Sequence, residues 1–178
     1  MSIFNLYPKI DYNVSDYDLI GAIDITTSLR IKSIIKNYSL IASVPYIVSD
    51  GERPDQVSTN VYGNPNYDWI ILMTNDVYSI YDEWPKSSAV LERYIRTKYG
   101  SILKAQEVVK YYNTNGDIID FTTYNSLSSS EKSAITIESD YERELRMNVN
   151  KSKIKVLRPN FISKIDSDLK SSINLLIE

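Results

Sequence analysis

Three carboxylates in a tyrosine-rich segment are the side chains of this chain that could do chemistry together. They are Asp76, Asp82 and Glu83, and carboxylates so grouped could hold a calcium ion or contact the hydroxyls of a glycan. The segment lacks the regular ligand spacing of a calcium-binding EF-hand and has no glycine at its turn. The favoured interpretation is therefore a solvated loop, and neither a metal site nor a cofactor is predicted.

Composition argues against the common catalytic sites. The 178 residues include no histidine and no cysteine, so a serine nucleophile would lack its usual imidazole base and no thiolate nucleophile or thiolate metal site can exist. No G-x-S-x-G turn occurs, and no two carboxylates are forced together by their spacing. We therefore expect that the protein is not an enzyme, and we predict no catalytic residue.

The charge balance and the hydropathy pattern narrow the choice of partner. Lys and Arg number 20 against 23 Asp and Glu, which gives a net charge of -3 and no broad basic surface for a phosphate backbone. No run reaches the roughly 18 apolar residues of a membrane span, and the first residues lack the pattern of a secretion signal. We therefore expect that the protein is not exported and that it binds neither nucleic acid nor a membrane.

Two features indicate contacts with another protein. Trp84, beside Pro85 in a loop with Tyr78 and Tyr81, could pack within the loop or contact a partner, since exposed aromatic side chains concentrate binding energy. A basic stretch could bind an acidic partner, or could only block unwanted edge pairing of a strand. It comprises Lys151, Lys153, Lys155 and Arg158.

The elements that position these residues centre on residues 46–75. A strand at 46–48 closes with a turn at Asp50-Gly51. Pro54 suits the first turn of a helix that Gly63 would end, and Asn64-Pro65 would begin a second helix. That second helix is apolar nearly all round, so we expect it to be buried. The predicted core residues are Val57, Val61, Trp69, Ile70 and Leu72.

The flanking segments are predicted as follows. Residues 3–12 are extended and irregular, and Asp24 or Thr26 caps a helix through about Tyr38. A helix opens at the serines 87 and 88 and ends at Gly100. Asn115-Gly116 predicts a type I′ hairpin with Tyr112 opposite Ile119. Ser128 and Glu131 have the spacing of a capping box, and a helix near 139–149 follows, with Tyr141, Leu145 and Val149 recurring every four residues.

The C-terminal part is predicted to be a strand, "KIKVLRP", and a final helix from Asn160. The strand is expected to lie antiparallel to "PYIVSD", with Ile154 and Val156 packed toward Trp69 and Leu72. The helix has a narrow apolar stripe at near-heptad spacing, which is typical of a seam with another helix. The stripe consists of Phe161, Ile165, Leu169, Ile173 and Leu176, and the first four are the predicted contact residues. A chain cut after Pro159 is accordingly expected to stay folded.

The order "YPKIDY", "DIT", "RPDQVSTNVYGNPNYDWIILMTND" and "KIKVLRP" resembles the baseplate wedge protein 53 family of contractile-tailed, T4-like bacteriophages. The resemblance implies a structural protein of the virion tail baseplate that joins neighbouring wedges into a sixfold ring. Its implied partners are other wedge subunits of the same virion, present in multiple copies. The resemblance also implies an element similar to a LysM module within the central stretch.

The predicted fold class is α+β, with a small LysM-like β-α-α-β core. A helix and a β-hairpin at about 85–150 would be inserted into that core, which spans 43–159. Residues 1–42 would form an N-terminal arm and helix, and residues 160–178 the C-terminal helix. The alternative function is a LysM-type module that binds peptidoglycan, with tyrosines stacked on sugars.

Overall fold

A computed structural model describes residues 7–15, 18–107 and 109–174, which form helices and three small sheets. The mixed content confirms the α+β class. The strands are β1 (Lys9–Ser15), β2 (Asp18–Ile23), β3 (Ser43–Ile47), β4 (Val109–Tyr112), β5 (Ile118–Ile119), β6 (Thr136–Ser139) and β7 (Lys153–Leu157). The helices are α1 (Ser28–Ala42), α2 (Pro54–Tyr62), α3 (Asp68–Thr74), α4 (Ile80–Glu83), α5 (Ser88–Tyr99), α6 (Ile102–Glu107), α7 (Phe121–Ser126), α8 (Ser129–Lys132), α9 (Asp140–Ser152) and α10 (Ile162–Asn174).

The chain divides into two units. Unit 1 combines the residues up to Trp84 with those from Lys153 onward, and unit 2 is Pro85–Ser152. The three-part division into 1–42, 43–159 and 160–178 stays a prediction. Among the described residues, no helix combines the length and the apolar character that a membrane crossing requires.

The start of unit 1 is more regular than the sequence indicated. Strands β1 and β2 pair antiparallel, with Lys9 opposite Ile23, so the prediction of an irregular segment is wrong from Lys9 onward. Its residues 3–6 lie outside the described part of the chain. The sequence between the two strands contains neither glycine nor proline, and it therefore lacks the signal by which a hairpin is usually recognised.

Capping side chains fix the helices of unit 1 where the sequence placed them. The Asp24 carboxylate accepts the Thr26 N–H at 2.8 Å and opens a 3-10 turn that leads into α1. Pro54 begins α2, and Gly63 ends it with a φ of 71°, in the left-handed region that favours glycine. Asn64 then caps the 3-10 turn Pro65–Tyr67 before α3. The predicted helices are confirmed, although α1 continues to Ala42.

Strands β3 and β7 form an antiparallel pair across a long stretch of sequence. Tyr46 lies opposite Ile154, and Val44 lies opposite Val156, as the C-terminal strand prediction required. Ile154 and Val156 are buried with Leu72 packed against their cluster, while the lysines of β7 are exposed. Trp69 differs from the prediction, because it belongs to a second cluster with Leu157.

That second cluster joins α1, α3 and α10, and it corrects the interpretation of the C-terminal helix. Ile165 and Leu169 have no exposed surface, because they pack against Ile31, Ile35 and Trp69 of the same chain. Phe161 is half-buried, and its ring meets Tyr38 edge-on at 6.1 Å. At Ile165 and Leu169 the apolar stripe is therefore a seam within the chain. The side chains of Ile173 and Leu176 lie outside the described part.

Tyr38 ties α1 to α10 through a polar contact as well. Its hydroxyl donates a hydrogen bond to the Asp168 carboxylate. Burial, followed by that hydrogen bond, raises the pKa of Tyr38 to about 12. The phenol of Tyr38 is consequently neutral at neutral pH, and it can donate its proton to this hydrogen bond.

The remaining predicted core residues also lie in unit 1. Ile70 and Val57 are fully buried, and Leu72 and Val61 are half-buried against the cluster around Ile71. Helix α3 therefore separates two clusters, since Trp69 and Ile70 face one of them and Ile71 faces the other. This explains why α3 is apolar nearly all round.

Asn75 closes the outer edge of β7. Its side-chain amide donates to the Lys155 carbonyl at 2.7 Å, and its carbonyl accepts the Lys155 N–H at 2.8 Å. The same amide donates to the Ile71 carbonyl at 2.8 Å. The Asn75 side chain thus makes both backbone hydrogen bonds to Lys155 that a neighbouring strand would otherwise make. It also connects the end of α3 to β7.

We expect Asn75→Ala to lower the free energy of unfolding by about 1–3 kcal/mol, because Lys155 then loses a partner for both its N–H and its C=O. Urea unfolding of the full chain measures the difference. Asn66→Ala is the matched control, since Asn66 is an exposed asparagine of the same unit. Equal unfolding midpoints for the two variants would contradict a structural role for Asn75.

Unit 2 contains a hairpin whose register differs by one residue from the prediction. Tyr111 lies opposite Ile119, and Tyr112 lies opposite Ile118. A type I′ turn needs positive φ at both central residues, but of Asn115 and Gly116 only Gly116 has one, at 87°. Its N–H donates to the Asn113 carbonyl at 2.9 Å. Glycine therefore follows the turn instead of forming its centre, and the pairing shifts.

The sequence missed one strand of unit 2 and one helical face. Strand β6 pairs with β4, and α9 confirms the helix predicted near 139–149.

The buried side of α9 differs from the one that its apolar residues indicate. Leu145 and Val149 are exposed, whereas Glu144 is buried. The buried carboxylates of α9 form ion pairs with cations, because Lys98 lies 2.7 Å from Glu144 and Lys110 lies 2.7 Å from Asp140. The buried Glu138 of β6 pairs with Arg146 of α9 at 2.6 Å. Pairing allows the charges to be buried, and the apolar period therefore indicated the wrong face. The Ser128 capping box is confirmed.

Candidate interaction surface

A groove of about 390 Å³ lies in unit 1 beside α1 and α3. Its apolar lining comes from α3 and the residues that follow it. These are Trp69, Leu72, Met73 and Val77, with the ring of Tyr7 also at the wall. The Tyr7 hydroxyl lies 3.1 Å from the Ser28 hydroxyl at the start of α1. A mainly apolar groove of this kind fits apolar side chains of a partner.

The rim of the groove is polar and internally paired. Asp76 forms ion pairs with Lys32, at 3.0 Å, and with Lys36. The hydrogen bond from Lys36, followed by that from Lys32, lowers the pKa of the Asp76 carboxyl. The Lys32 ammonium also contacts Tyr78, where it lies 4.5 Å from the ring centre and donates to the hydroxyl.

Backbone geometry places Asp76 where it can make these contacts. Its φ of 55° lies in the left-handed region, which aspartate tolerates better than most residues. The Val77 N–H donates to the Leu72 carbonyl at 2.9 Å, and the Asp76 N–H donates to the Met73 carbonyl at 3.4 Å. This is a Schellman ending of α3. Glycine would suit the backbone, but it would leave the lysines of α1 without their carboxylate.

The segment after Asp76 presents two tyrosines. The side chains of Tyr78 and Tyr81 are 75% and 88% exposed. The Glu83 carboxylate accepts the N–H groups of Tyr78 and Ser79 and so closes the short turn. A fixed backbone therefore carries two exposed aromatic rings.

Trp84 anchors the far end of this segment. It is 4% exposed and packs with Val57 and Ile71, and its indole N–H donates to the Glu52 carbonyl at 2.8 Å. Of the two alternatives for Trp84, the structure supports packing, because both the apolar ring and the polar N–H are satisfied inside unit 1.

The acidic side chains of the segment bind within the chain. Asp76 holds lysines, Glu83 accepts backbone N–H groups, and Asp82 accepts the Ser79 hydroxyl at 3.0 Å. In the described ranges, no three His, Cys, Asp or Glu side chains group as metal ligands would. These carboxylates organise the loop.

A polar hollow lies elsewhere on unit 1, at the turn between β3 and α2, and it bears on the glycan hypothesis. Ser49, Gln56 and Asn60 are among its lining residues. The Glu52 carboxylate accepts both the Tyr46 hydroxyl at 2.9 Å and the Asn60 amide at 2.8 Å. The lining includes no aromatic residue, so a sugar ring would find no stacking surface there.

Comparison with known proteins identifies the family. A family model described as base plate wedge protein 53 matches residues 2–144. The chain belongs to the baseplate wedge protein 53 family. The baseplate wedge protein gp53 of Enterobacteria phage T4 is 31% identical over 72 residues, which cover 40% of this chain and 36% of that protein. The match thus spans about a third of the relative's length.

Family membership confirms the resemblance seen in the sequence motifs. The chain is accordingly a component of a phage tail baseplate, and its place is in the virion. The β3-α2-α3-β7 arrangement is present, whereas its likeness to a LysM module stays a prediction.

The predicted contact residues of this family member fall into two groups. Among those that the structure describes, Tyr78 and Tyr81 are exposed beside the groove, whereas Trp84, Ile165 and Leu169 are buried. Phe161 is half-buried, and the side chain of Ile173 lies outside the described part of the chain. Sequence reasoning missed Lys32 and Lys36, which support the rim. Nothing in their local sequence marks them, since their carboxylate lies some forty residues further along the chain.

Proposed function

We propose that this chain links neighbouring wedges into the sixfold ring of the baseplate, and that it binds another wedge subunit through the groove and the Tyr78–Tyr81 segment. The observation that carries the proposal is the exposure of both tyrosines on a backbone held at each end. Asp76 is fixed by two lysines, and Trp84 is buried. The name of the T4 relative, a baseplate wedge protein, supports the choice of partner.

Rigid exposed aromatics suit this role for an energetic reason. Tyrosine offers a large amphipathic surface, and residues of this type dominate binding energy at protein interfaces. A segment already held in place by Glu83 and Trp84 loses little entropy on binding. The adjoining groove supplies apolar surface, and the internal ion pairs of its rim leave little charge that a partner must neutralise.

No catalytic role accompanies this proposal. The chain has no imidazole and no thiol, and the carboxylates near the groove are engaged by lysines and backbone N–H groups. The family is one of structural baseplate proteins, so binding and positioning are the activity that we propose.

The second candidate is peptidoglycan binding, which the β-α-α-β order of unit 1 favours. The polar hollow at the β3–α2 turn would be the site. The purified chain is expected to show no retention on purified peptidoglycan, because the hollow provides no aromatic stacking surface. Retention that chitin oligomers compete away would place this candidate first.

The wedge-linking role is tested by replacing both tyrosines. Tyr78→Ser with Tyr81→Ser is expected to reduce incorporation of the chain into baseplates by about tenfold or more, since two interface aromatics typically contribute over 1 kcal/mol each. Incorporation is measured by complementation of a phage that lacks the gene, with quantitation of the chain in purified particles.

Leu103→Ser is the matched control for this test, because Leu103 is a 70% exposed apolar side chain in unit 2. Thermal melting of each purified variant checks that it is folded. Normal incorporation of the folded double variant, or an equal loss for the control, would contradict the assignment of the tyrosine segment.

A further inference from the structure

The hairpin of β1 and β2 lies outside the core of unit 1. Ile10 and Ile23 are 46% and 45% exposed, and no described residue of the two strands belongs to a core cluster. A hairpin of two strands alone is marginally stable in water, whereas a sheet of three or more strands is stable. The addition of another strand would therefore stabilise this part of the chain.

The hydrogen bonds of the hairpin show which backbone groups of β1 point outward. The Asp24 N–H donates to the Pro8 carbonyl at 2.8 Å, and β1 continues in that register. Because hydrogen-bonded pairs alternate in an antiparallel ladder, the N–H and C=O of Ile10 point toward β2, and those of Lys9 and Asp11 point away from it. No strand of the described ranges pairs with this outer edge, so the edge is open.

The open edge of β1 is suited to strand addition over residues 9–13. These residues include no proline, and the register shifts only after Asn13. The outer edge of β2 is less suited, because Gly21 lies at its middle and glycine weakens a strand. An added strand should therefore pair with β1.

The charges on β1 are complementary to those of a second copy of the same strand. Lys9 and Asp11 are exposed, and neither forms an ion pair with a described residue. An edge with charges of one sign repels its own copy, but β1 has one charge of each sign, on either side of Ile10. When two copies of β1 run antiparallel with Ile10 opposite Ile10, each Lys9 lies opposite the Asp11 of the other copy.

We infer that two copies of the free chain pair edge to edge through β1, with a two-fold axis at Ile10. The result is a four-stranded antiparallel sheet in the order β2-β1-β1-β2. Each pair of Lys9 and Asp11 then exchanges two backbone hydrogen bonds through the groups that point outward, and the two side chains attract each other across the strands.

This dimer does not depend on the proposed ring. A two-fold contact uses the same surface on both copies, whereas the copies in a sixfold ring are related by rotation about a single axis. The pairing therefore belongs to the chain before assembly, where it covers the open edge. It also uses residues other than the tyrosine groove, so either assignment can fail without the other.

An introduced thiol tests the register, because the chain contains no cysteine. In the dimer the two Ile10 positions form a non-hydrogen-bonded pair with Cα atoms about 4.5 Å apart, which a disulfide can span. We expect the full chain with Ile10→Cys to form a disulfide-linked dimer under mild oxidation, measured by non-reducing gel electrophoresis. Ile23→Cys is the matched control, since Ile23 is equally exposed but lies on β2, three strand spacings or about 14 Å from its copy.

Sedimentation velocity of the purified full chain over a range of concentrations tests the charges. We expect Lys9→Glu to weaken the dimer by about tenfold or more, because two attractions become two repulsions. Lys9→Glu combined with Asp11→Lys is expected to restore the dimer. Lys164→Glu makes the same charge change at an exposed position of α10 and is expected to leave the dimer intact. Circular dichroism confirms that each variant is folded, and should a charge variant unfold, the cross-linking result decides alone.

Four results would overturn the inference. They are a wild-type chain that stays monomeric at its highest soluble concentration, equal disulfide yields from Ile10→Cys and Ile23→Cys, a dimer that folded Lys9→Glu leaves intact, and a double charge reversal that dimerises no better than Lys9→Glu alone.

Discussion

A chain that ends after Pro159 is expected to lose the fold of unit 1. Such a chain lacks α10, whose Ile162, Ile165 and Leu169 are buried against α1 and α3. Full burial of each such side chain stabilises by about 1.5–3 kcal/mol, so the three together contribute about 5–9 kcal/mol. That amount is comparable to the whole stability of an ordinary domain, about 5–15 kcal/mol.

Circular dichroism and thermal melting of the truncated chain measure this effect. We expect the cooperative transition of unit 1 to be absent, with the indole of Trp69 exposed to solvent by its fluorescence. A chain that ends after Asn174 is the control, because it keeps all of α10. A native-like melting transition in the shorter chain would show that α10 is an independent arm, as its sequence pattern indicated.

Trp69→Ala is expected to be the most destabilising single substitution, at about 3–5 kcal/mol of unfolding free energy. The indole is buried in the cluster that joins α1, α3 and α10, so its removal leaves a cavity that three elements border. Equilibrium urea unfolding, monitored by circular dichroism, provides the measurement.

Tyr81→Ala is the comparison for this variant, because it also removes an aromatic ring but from an exposed site. We expect its unfolding free energy to stay within about 0.5 kcal/mol of the wild-type value. Replacement of Trp69 should therefore lower the stability of the chain, whereas replacement of Tyr81 should leave its stability unchanged and affect only its incorporation into baseplates. A Trp69→Ala chain as stable as Tyr81→Ala would mean that the core of unit 1 lies elsewhere.

The candidate site illustrates how far sequence reasoning reaches. Tyr78 and Tyr81 were predicted as contacts from their position in a tyrosine-rich loop, and both are exposed. The rim could not be predicted, because Lys32 and Lys36 meet Asp76 only when α1 packs beside α3. The role of Trp84 stayed open for the same reason, since its hydrogen-bond acceptor is a backbone carbonyl of Glu52, in another loop.

The sequence by itself determined the family, through the motif around Trp69, and the ends of the central helices, through Pro54, Gly63 and Asn64. These signals are local, because a cap or a left-handed glycine acts within one turn of the chain. The pairing of β3 with β7 could also be inferred, since the apolar and charged residues of β7 alternate with period two.

Only the tertiary structure decided which faces are buried. The apolar stripe of α10 is equally compatible with packing against a partner's helix and with packing in the chain's own core. The structure shows that Ile165 and Leu169 of this stripe are buried against α1, in the core of unit 1. In α9, buried carboxylates paired with cations reverse the face that the apolar period indicated, and in the hairpin the turn at Gly116 shifts the register by one residue. Burial and register depend on contacts between residues far apart in sequence, and a local pattern contains no information on which of its compatible partners will be present.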